Sequence, residues 1–341
     1  MTTLKLPTNE KGIMTTADIL NNGGVVAIPT ETVYGLAASA FSDDAVGKVF
    51  VAKGRPQDNP LIVHISNIDM LNEVAMDIPP SAYECAKRFW PGPFTVVLKK
   101  TDKVCGSVSR GLDTVAVRMP SHPVAKAVIE CAGLPLAAPS ANLSGCPSPT
   151  SANHVVNDLD GKIDAVIMGD DSEVGVESTV VSLVGEKPVL LRPGAVTLEQ
   201  LREVLPNIAV DSAVLSEAKG DKVASPGMKY KHYSPKTTVY LVEGDGKAFA
   251  DYVNEKQNSA AICFSEDEGI KIPFIVYGSR LDESTLAHNI FGILRDIDKE
   301  SYAQVYIHAP SKTGVGLAVY NRLIRAAGFK VIRVEPIAPD K

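Results

Sequence analysis

Nowhere in these 341 residues is there a CxxC pair, an HExxH motif or a GxxxxGK[ST] loop. No apolar run approaches the ~20 residues that a membrane helix needs. The five cysteines (Cys85, Cys105, Cys131, Cys146, Cys263) are odd in number and scattered, which argues against a disulfide framework and a thiolate zinc site and fits reduced, structural thiols. Six dispersed histidines offer no metal-ligand spacing either. Excess positive charge is missing as well: with a net charge of -6 there is no global attraction to a phosphate backbone, so any RNA contact has to be local and weak. Without a P-loop, phosphates must be held by other means. "GVGLAVYN", from Gly314, has two glycines but lacks the third of a dinucleotide fingerprint and a following acidic residue, and reads as helix packing. The opening "MTTLKLPTNEKG" has no apolar secretory core, so the expectation is a cytoplasmic protein with no membrane contact.

What is present is a globular composition, 45% hydrophobic and 22% charged, long enough for two cores. Through residue 210, short β-rich runs alternate with helical stretches. "GVVAIPT", "PLIVHIS", "FTVVLKK", "TVAVRMP", "PLAAPSA", "AVIMG", "STVVSLV" and "PVLLRPG" predict strands; residues 43 to 53, "SAYECAKRFW" and "HPVAKAVIECAG" predict helices, the last ended by Gly133. Residues 211–238 lose apolar periodicity, carry Pro226, Gly227 and Pro235, and read as a linker. Strands such as "TTVYLVEG" and "AQVYIHAP" and helices such as "GLAVYNRLIRAAG" then predict a smaller α/β unit over 239–341.

The chemistry concentrates at strand ends. In "VAKGRPQDNPLIVHI", Gly54 and Pro56 impose a fixed turn that presents Lys53 and Arg55 together, a point charge and a planar fork suited to one phosphate group. A solvated basic turn is the commoner meaning of such a segment taken alone. Two further polar turns shift the balance: "APSANLSG", with Ser140, Asn142 and Ser144, and "LRPG", with Arg192. "IPTETVYGL" offers the Thr30 and Thr32 hydroxyls to a small polar ligand, while Glu31 alone reads as a helix cap. His64, mid-strand, reads as a satisfied interior histidine. Arg118 interrupts an apolar strand and needs an anionic partner, for which an amino-acid carboxylate is suited.

Taken in order, "IPTETVYGL", "KGRPQDNPLIVHI", "FWPGPFTVVL", "VAVRMPSHP", "APSANLSG", "ESTVVSL" and "LRPGAV" strongly resemble the YrdC-like family of L-threonylcarbamoyladenylate synthases, over residues 10 to about 205. "SPGMKYKHYSP" and the α/β unit after it resemble the two-domain branch of that family. The resemblance implies a YrdC-like twisted mixed sheet with helices over 1–210, a linker over 211–238 and a Rossmann-like domain over 239–341. Separately, the lysines, Tyr230 and Tyr233 bracketed by Pro226-Gly227 and Pro235 suggest that residues 222–236 fold over the cleft as a lid, the alternative being a solvated tether. The resemblance also implies ATP, L-threonine and bicarbonate or CO2 as substrates and pyrophosphate release; magnesium, which needs few protein ligands, is expected on the ATP phosphates with no protein side-chain ligand. The product would pass to a separate tRNA threonylcarbamoyl transferase, met transiently. By motif, Thr32, His64, Arg118, Ala138 and Ser178 are expected around threonine. Lys53, Arg55, Asn59, Ser140, Asn142, Ser148 and Arg192 are expected around ATP, with Lys53 and Arg55 as the catalytic cations; Tyr230 joins them only if the linker closes as a lid.

Two other classes fit less well. A double-stranded RNA-binding module conflicts with the acidic balance. A carbamoyl-transfer enzyme of the hydrogenase-maturation type would carry an acylphosphatase-like region and CxxC zinc motifs, neither of which occurs.

Overall fold

The computed structural model describes residues 2–54, 59–216, 235–300 and 302–335. Arg55 and Tyr230 lie outside these residues, as does most of the expected lid.

The apolar, β-branched runs form strands because a pleated strand packs branched side chains well on both faces. Phe94–Lys100 (FTVVLKK) and Thr114–Arg118 (TVAVR) are buried over nearly their whole lengths, as central strands covered on both sides are. Among the described residues, twelve strands make one mixed sheet. Its central order is Gly35–Ser39, Leu136–Ala137, Ile62–His64, Thr114–Arg118, Phe94–Lys100, Thr179–Ser182 and Val189–Arg192. Val26–Ile28, Ala165–Ile167 and Leu4–Leu6 extend the sheet beyond Gly35–Ser39, with Leu4–Leu6 at the edge.

Three details set up the cleft. Helix Asp43–Lys53 starts where Ser42 accepts from the Ala45 N–H, has Asp43 and Asp44 in its first turn, and stops at Gly54, whose φ of 57° is left-handed. Lys53 is thereby fixed as its last residue. The strand Gly35–Ser39 (GLAAS) was not expected from its small residues, yet it is wholly buried. It pairs with Val26–Ile28 and Leu136–Ala137, and a Cβ on Gly35 would come within 3.3 Å of the Ala138 Cβ, so small residues allow this close approach.

The second unit is a five-stranded, wholly parallel sheet in the order Phe274–Gly278, Ser259–Phe264, Gln304–His308, Thr238–Glu243, Val331–Arg333, flanked by helices Gly246–Asn254, Glu283–Asp296 and Gly316–Ala326. Its apolar core takes in Val33 and Val176 of the first unit. Arg295 forks onto Asp158 at 3.1 and 2.9 Å, and Arg325 donates to the Ala213 carbonyl at 2.6 Å. Residues 211–216, which the sequence pattern assigns to the linker, contain a short 3-10 turn, Ser212–Val214, with Ala213 and Val214 buried. Two apolar residues give no periodicity to read, but they suffice to dock the segment. No helix among the described residues is long and apolar enough to cross a membrane.

Candidate functional site

Strand register brings the predicted residues together. Ile62–His64 and Thr114–Arg118 run parallel with His64 opposite Arg118, and Arg118 lies opposite Thr95 on the antiparallel Phe94–Lys100. Cross-strand partners share a face, so this row of polar groups lies along one side of the sheet. It continues to Ser178, whose Oγ is 2.7 Å from Thr95 Oγ1.

Arg118 Nη1 donates to Thr32 Oγ1 at 2.8 Å and its Nε to the Gly92 carbonyl at 3.3 Å. Its Nη2 lies 2.7 Å from Glu31 Oε1, both side chains being almost wholly buried. At that separation the two form a tight buried ion pair. Burial pushes the Glu31 carboxyl up, but the Arg118 guanidinium, together with the backbone N–H groups of Ser121 and Glu31 itself, holds it below the usual carboxylate range. No helix begins at Glu31; the anionic partner that Arg118 required is Glu31 itself, a correction to its reading as a cap. Thr30 is committed internally: its Oγ1 contacts Thr32 Oγ1 at 2.9 Å and donates to the Val33 carbonyl at 2.6 Å, setting the turn.

His64 is buried, with Nδ1 3.2 Å from the Ile62 carbonyl. Burial, reinforced by the Arg118 charge, pushes the imidazole down to about 3, so at neutral pH it is an uncharged ring. An unfolded chain binds that proton near pH 6.5. Between about pH 6.5 and 3 the unfolded state therefore holds more protons, and stability is lost as pH falls. The wild type should lose on the order of 1 kcal/mol more than His64→Gln on going from about pH 7.5 to 5.5. Urea unfolding of both chains at the two pH values measures this; equal losses would refute the neutral-imidazole assignment.

On the other side of the cleft, Lys53 Nζ donates to the Ser140 and Asn142 carbonyls at 2.5 and 2.6 Å and lies 3.3 Å from Asn142 Oδ1. Asn142 in turn donates to the Leu143 and Cys146 carbonyls and accepts from Ser140 Oγ at 2.6 Å. The helix end and the Ser-Ala-Asn turn thus form one polar block. Arg192 donates to the Ser178 carbonyl at 3.1 Å and to its Oγ at 3.2 Å.

A single cleft is lined by Thr32, His64, Arg118, Ala138 and Ser178 together with Lys53, Ser140, Asn142 and Arg192. Of the expected residues within the described chain, Asn59 and Ser148 are buried but do not line it. Ser148 donates to Glu177 Oε1 at 2.6 Å, and Asn59 Oδ1 has no partner among the described residues. Glu177 lines the cleft and was not anticipated, because a glutamate ahead of "STVVSL" has no local pattern that marks it. Thr95 was missed for the same reason: it sits within an unremarkable β-branched strand. No group of three or more His, Cys, Asp or Glu side chains among the described residues could hold a metal ion.

A family profile for Sua5, YciO and YrdC proteins, described as "Telomere recombination", matches residues 18–194, the span that builds this cleft. The chain belongs to the Sua5/YciO/YrdC family. A second profile, described as the C-terminal domain of threonylcarbamoyl-AMP synthase, matches residues 196–328. Among curated relatives, the threonylcarbamoyl-AMP synthase of Pyrococcus abyssi is 45% identical over 327 residues, 93% of this chain and 94% of the relative. That of Bacillus subtilis is 44% identical over 336 residues, 96% of each. The crystal structure of P. abyssi Sua5 complexed with L-threonine superposes with a TM-score of 0.90 at 41% identity, covering 98% of this chain and 100% of that one. Two-domain Sua5 architecture therefore extends over essentially the whole chain.

Proposed function

We propose that this chain is an L-threonylcarbamoyladenylate synthase: it joins L-threonine, CO2 or bicarbonate and ATP, and releases pyrophosphate. The observation that carries the reading is the division of one cleft into two chemistries. One side has Arg118, Thr32, neutral His64 and Ser178, suited to an amino acid with a hydroxyl; the other has Lys53, Ser140 and Asn142, suited to a polyphosphate, towards which Arg192, held against Ser178, adds a second cation. Relatives of 44 and 45% identity bear the name of that enzyme, and the P. abyssi neighbour is a complex with L-threonine.

The chemistry asks little covalent work of the protein. The threonine amine adds to CO2 and loses a proton to give an N-carboxylate, which attacks the α-phosphorus of ATP as pyrophosphate departs. Catalysis then rests on holding the carboxylate and phosphorus in line and on stabilising charge over the phosphoryl oxygens. Arg118 would take the threonine carboxylate, with Glu31 fixing the guanidinium in place. Magnesium would travel on the ATP phosphates, and the product would go to a tRNA-modifying transferase. Incubating the protein with ATP, threonine, bicarbonate and magnesium should yield threonylcarbamoyladenylate by mass spectrometry, with equimolar pyrophosphate. Absence of both would refute the reading.

Selectivity follows from the same lining. Thr32, Ser178 and His64 can hydrogen-bond a side-chain hydroxyl, so valine, which lacks it, should be rejected more strongly than serine, which lacks a methyl. The expected ratios in kcat/KM are roughly 10⁴-fold for valine against ~10–200-fold for serine. Pyrophosphate release with the three amino acids measures both, and equal use of valine and threonine would remove the polar-pocket assignment.

A further inference from the structure

Among the described residues, the largest fully buried side chain is charged: Arg322, on helix Gly316–Ala326 of the second unit. A guanidinium taken wholly out of water is tolerated only where its donors and charge are met. Most of its partners belong to the first unit. Its Nε donates to Glu177 Oε2 at 2.6 Å, and its Nη2 donates to the Pro193 carbonyl at 3.0 Å and to the Glu177 carbonyl at 3.4 Å. The remaining contact, Nη1 to Asn321 Oδ1 at 2.7 Å, is to its own neighbour. Glu177 and Pro193 directly adjoin Ser178 and Arg192, the two residues that face the cleft from this side. Through Glu177, Arg322 also reaches Ser148.

This arrangement solves an electrostatic problem. Glu177 places a carboxylate in the lining of a cleft proposed to hold a polyphosphate. Burial alone would push that carboxyl up, but the Arg322 charge, followed by that of Arg192, brings it down to about 2, so it stays ionised. An ionised carboxylate repels a phosphate anion unless its charge is met elsewhere.

We propose that Arg322 is a positioning residue of the catalytic cleft, supplied by the second unit: it takes up the Glu177 charge from behind and clamps the two segments that carry Ser178 and Arg192, so that the cleft accepts the ATP polyphosphate. This rests on the synthase reading above. Without Arg322, the Glu177 charge falls on Arg192 as the other guanidinium acting on it, and Arg192 is drawn towards protein instead of nucleotide.

A residue that only fastens the two units would behave differently. Arg322→Met should raise KM for ATP roughly tenfold or more and change KM for threonine much less, since ATP carries several negative charges and zwitterionic threonine none net. Adding Glu177→Gln to Arg322→Met removes the uncompensated carboxylate and should restore most of the ATP KM, because deleting both members of a buried pair costs far less than deleting one. Arg322→Lys should fall between the wild type and Arg322→Met. If Arg322→Met does not fold, the doubly substituted chain carries the test: it must fold and use ATP. A double variant no better in ATP KM than Arg322→Met, or one that fails to fold, overturns the proposal, as do equal changes in the ATP and threonine KM values. Wild type assayed alongside separates the two failures, since an inactive wild type would refute the synthase reading itself.

Discussion

Replacing Lys53 by alanine is expected to lower kcat/KM for ATP by about 10²–10³-fold, the range seen when a preorganised donor to developing charge is lost. Two consequences combine. The substitution deletes a buried cation from the side of the cleft proposed for the polyphosphate, and it leaves the Ser140 and Asn142 carbonyls without the ammonium that now holds them at 2.5 and 2.6 Å. Those carbonyls belong to the turn carrying the Ser140 hydroxyl and the Asn142 amide, so the donor set loosens as the charge goes. Stability should fall by roughly 2–4 kcal/mol, from charged hydrogen bonds lost and buried acceptors left unmet. Lys53→Arg should be no rescue, because a planar fork does not converge on two adjacent carbonyls as an ammonium does. Steady-state pyrophosphate release at varied ATP, with thermal melts on the same samples, gives both numbers. A Lys53→Ala chain with wild-type kcat/KM for ATP would remove the lysine from the phosphate site.

The second large effect is expected at Arg118. Arg118→Met strands Glu31, a buried carboxylate, without its countercharge and should cost about 3–5 kcal/mol of stability, the range for breaking one member of a buried pair. It should also raise KM for threonine at least tenfold, through loss of a charge-assisted contact to the substrate carboxylate. The two losses separate in a double variant. Adding Glu31→Gln removes the stranded charge and should recover most of the stability, yet threonine use should stay impaired. Urea unfolding and threonine titration of the wild type, both singles and the double make the test. Recovery of threonine KM together with stability would mean that Arg118 serves the fold alone.

Much of this site was legible in the chain because its parts lie at strand ends, where β-branched runs meet proline and glycine. Runs such as "FTVVLKK" and "TVAVRMP" gave the strands, and the left-handed Gly133 and Gly54 ended helices Pro123–Ala132 and Asp43–Lys53. What escaped depends on pairing across long separations. Nothing near Glu31 shows that it meets Arg118, 87 positions on, because the contact joins the turn after strand Val26–Ile28 to a strand that is distant in sequence. Glu177 and Arg322 are 145 positions apart and meet only through docking of the two units. A signal for the latter did exist: in "GLAVYNRLIRAAG" two arginines interrupt a largely apolar helix, and both are buried. A cation on the apolar side of a helix asks for a distant acceptor. The strand "GLAAS" escaped for the opposite reason, since its small side chains carry little propensity of their own and the space around them decides the conformation.

The edge strand Leu4–Leu6 sets an order of assembly. Its partner is Ala165–Ile167, and Thr3 donates to the Ile163 carbonyl 160 residues away. At ~5–20 residues per second, a ribosome needs roughly 10–30 s to deliver that partner. During that interval the first strand is synthesised but unpaired, and the loop to be closed is long. The clamp on Glu177 arrives later still, since Arg322 is made after nearly all of the second sheet. A nascent chain can therefore form most of the cleft's scaffold well before its Glu177 charge is balanced, and synthesis of the final helix is what completes the pocket.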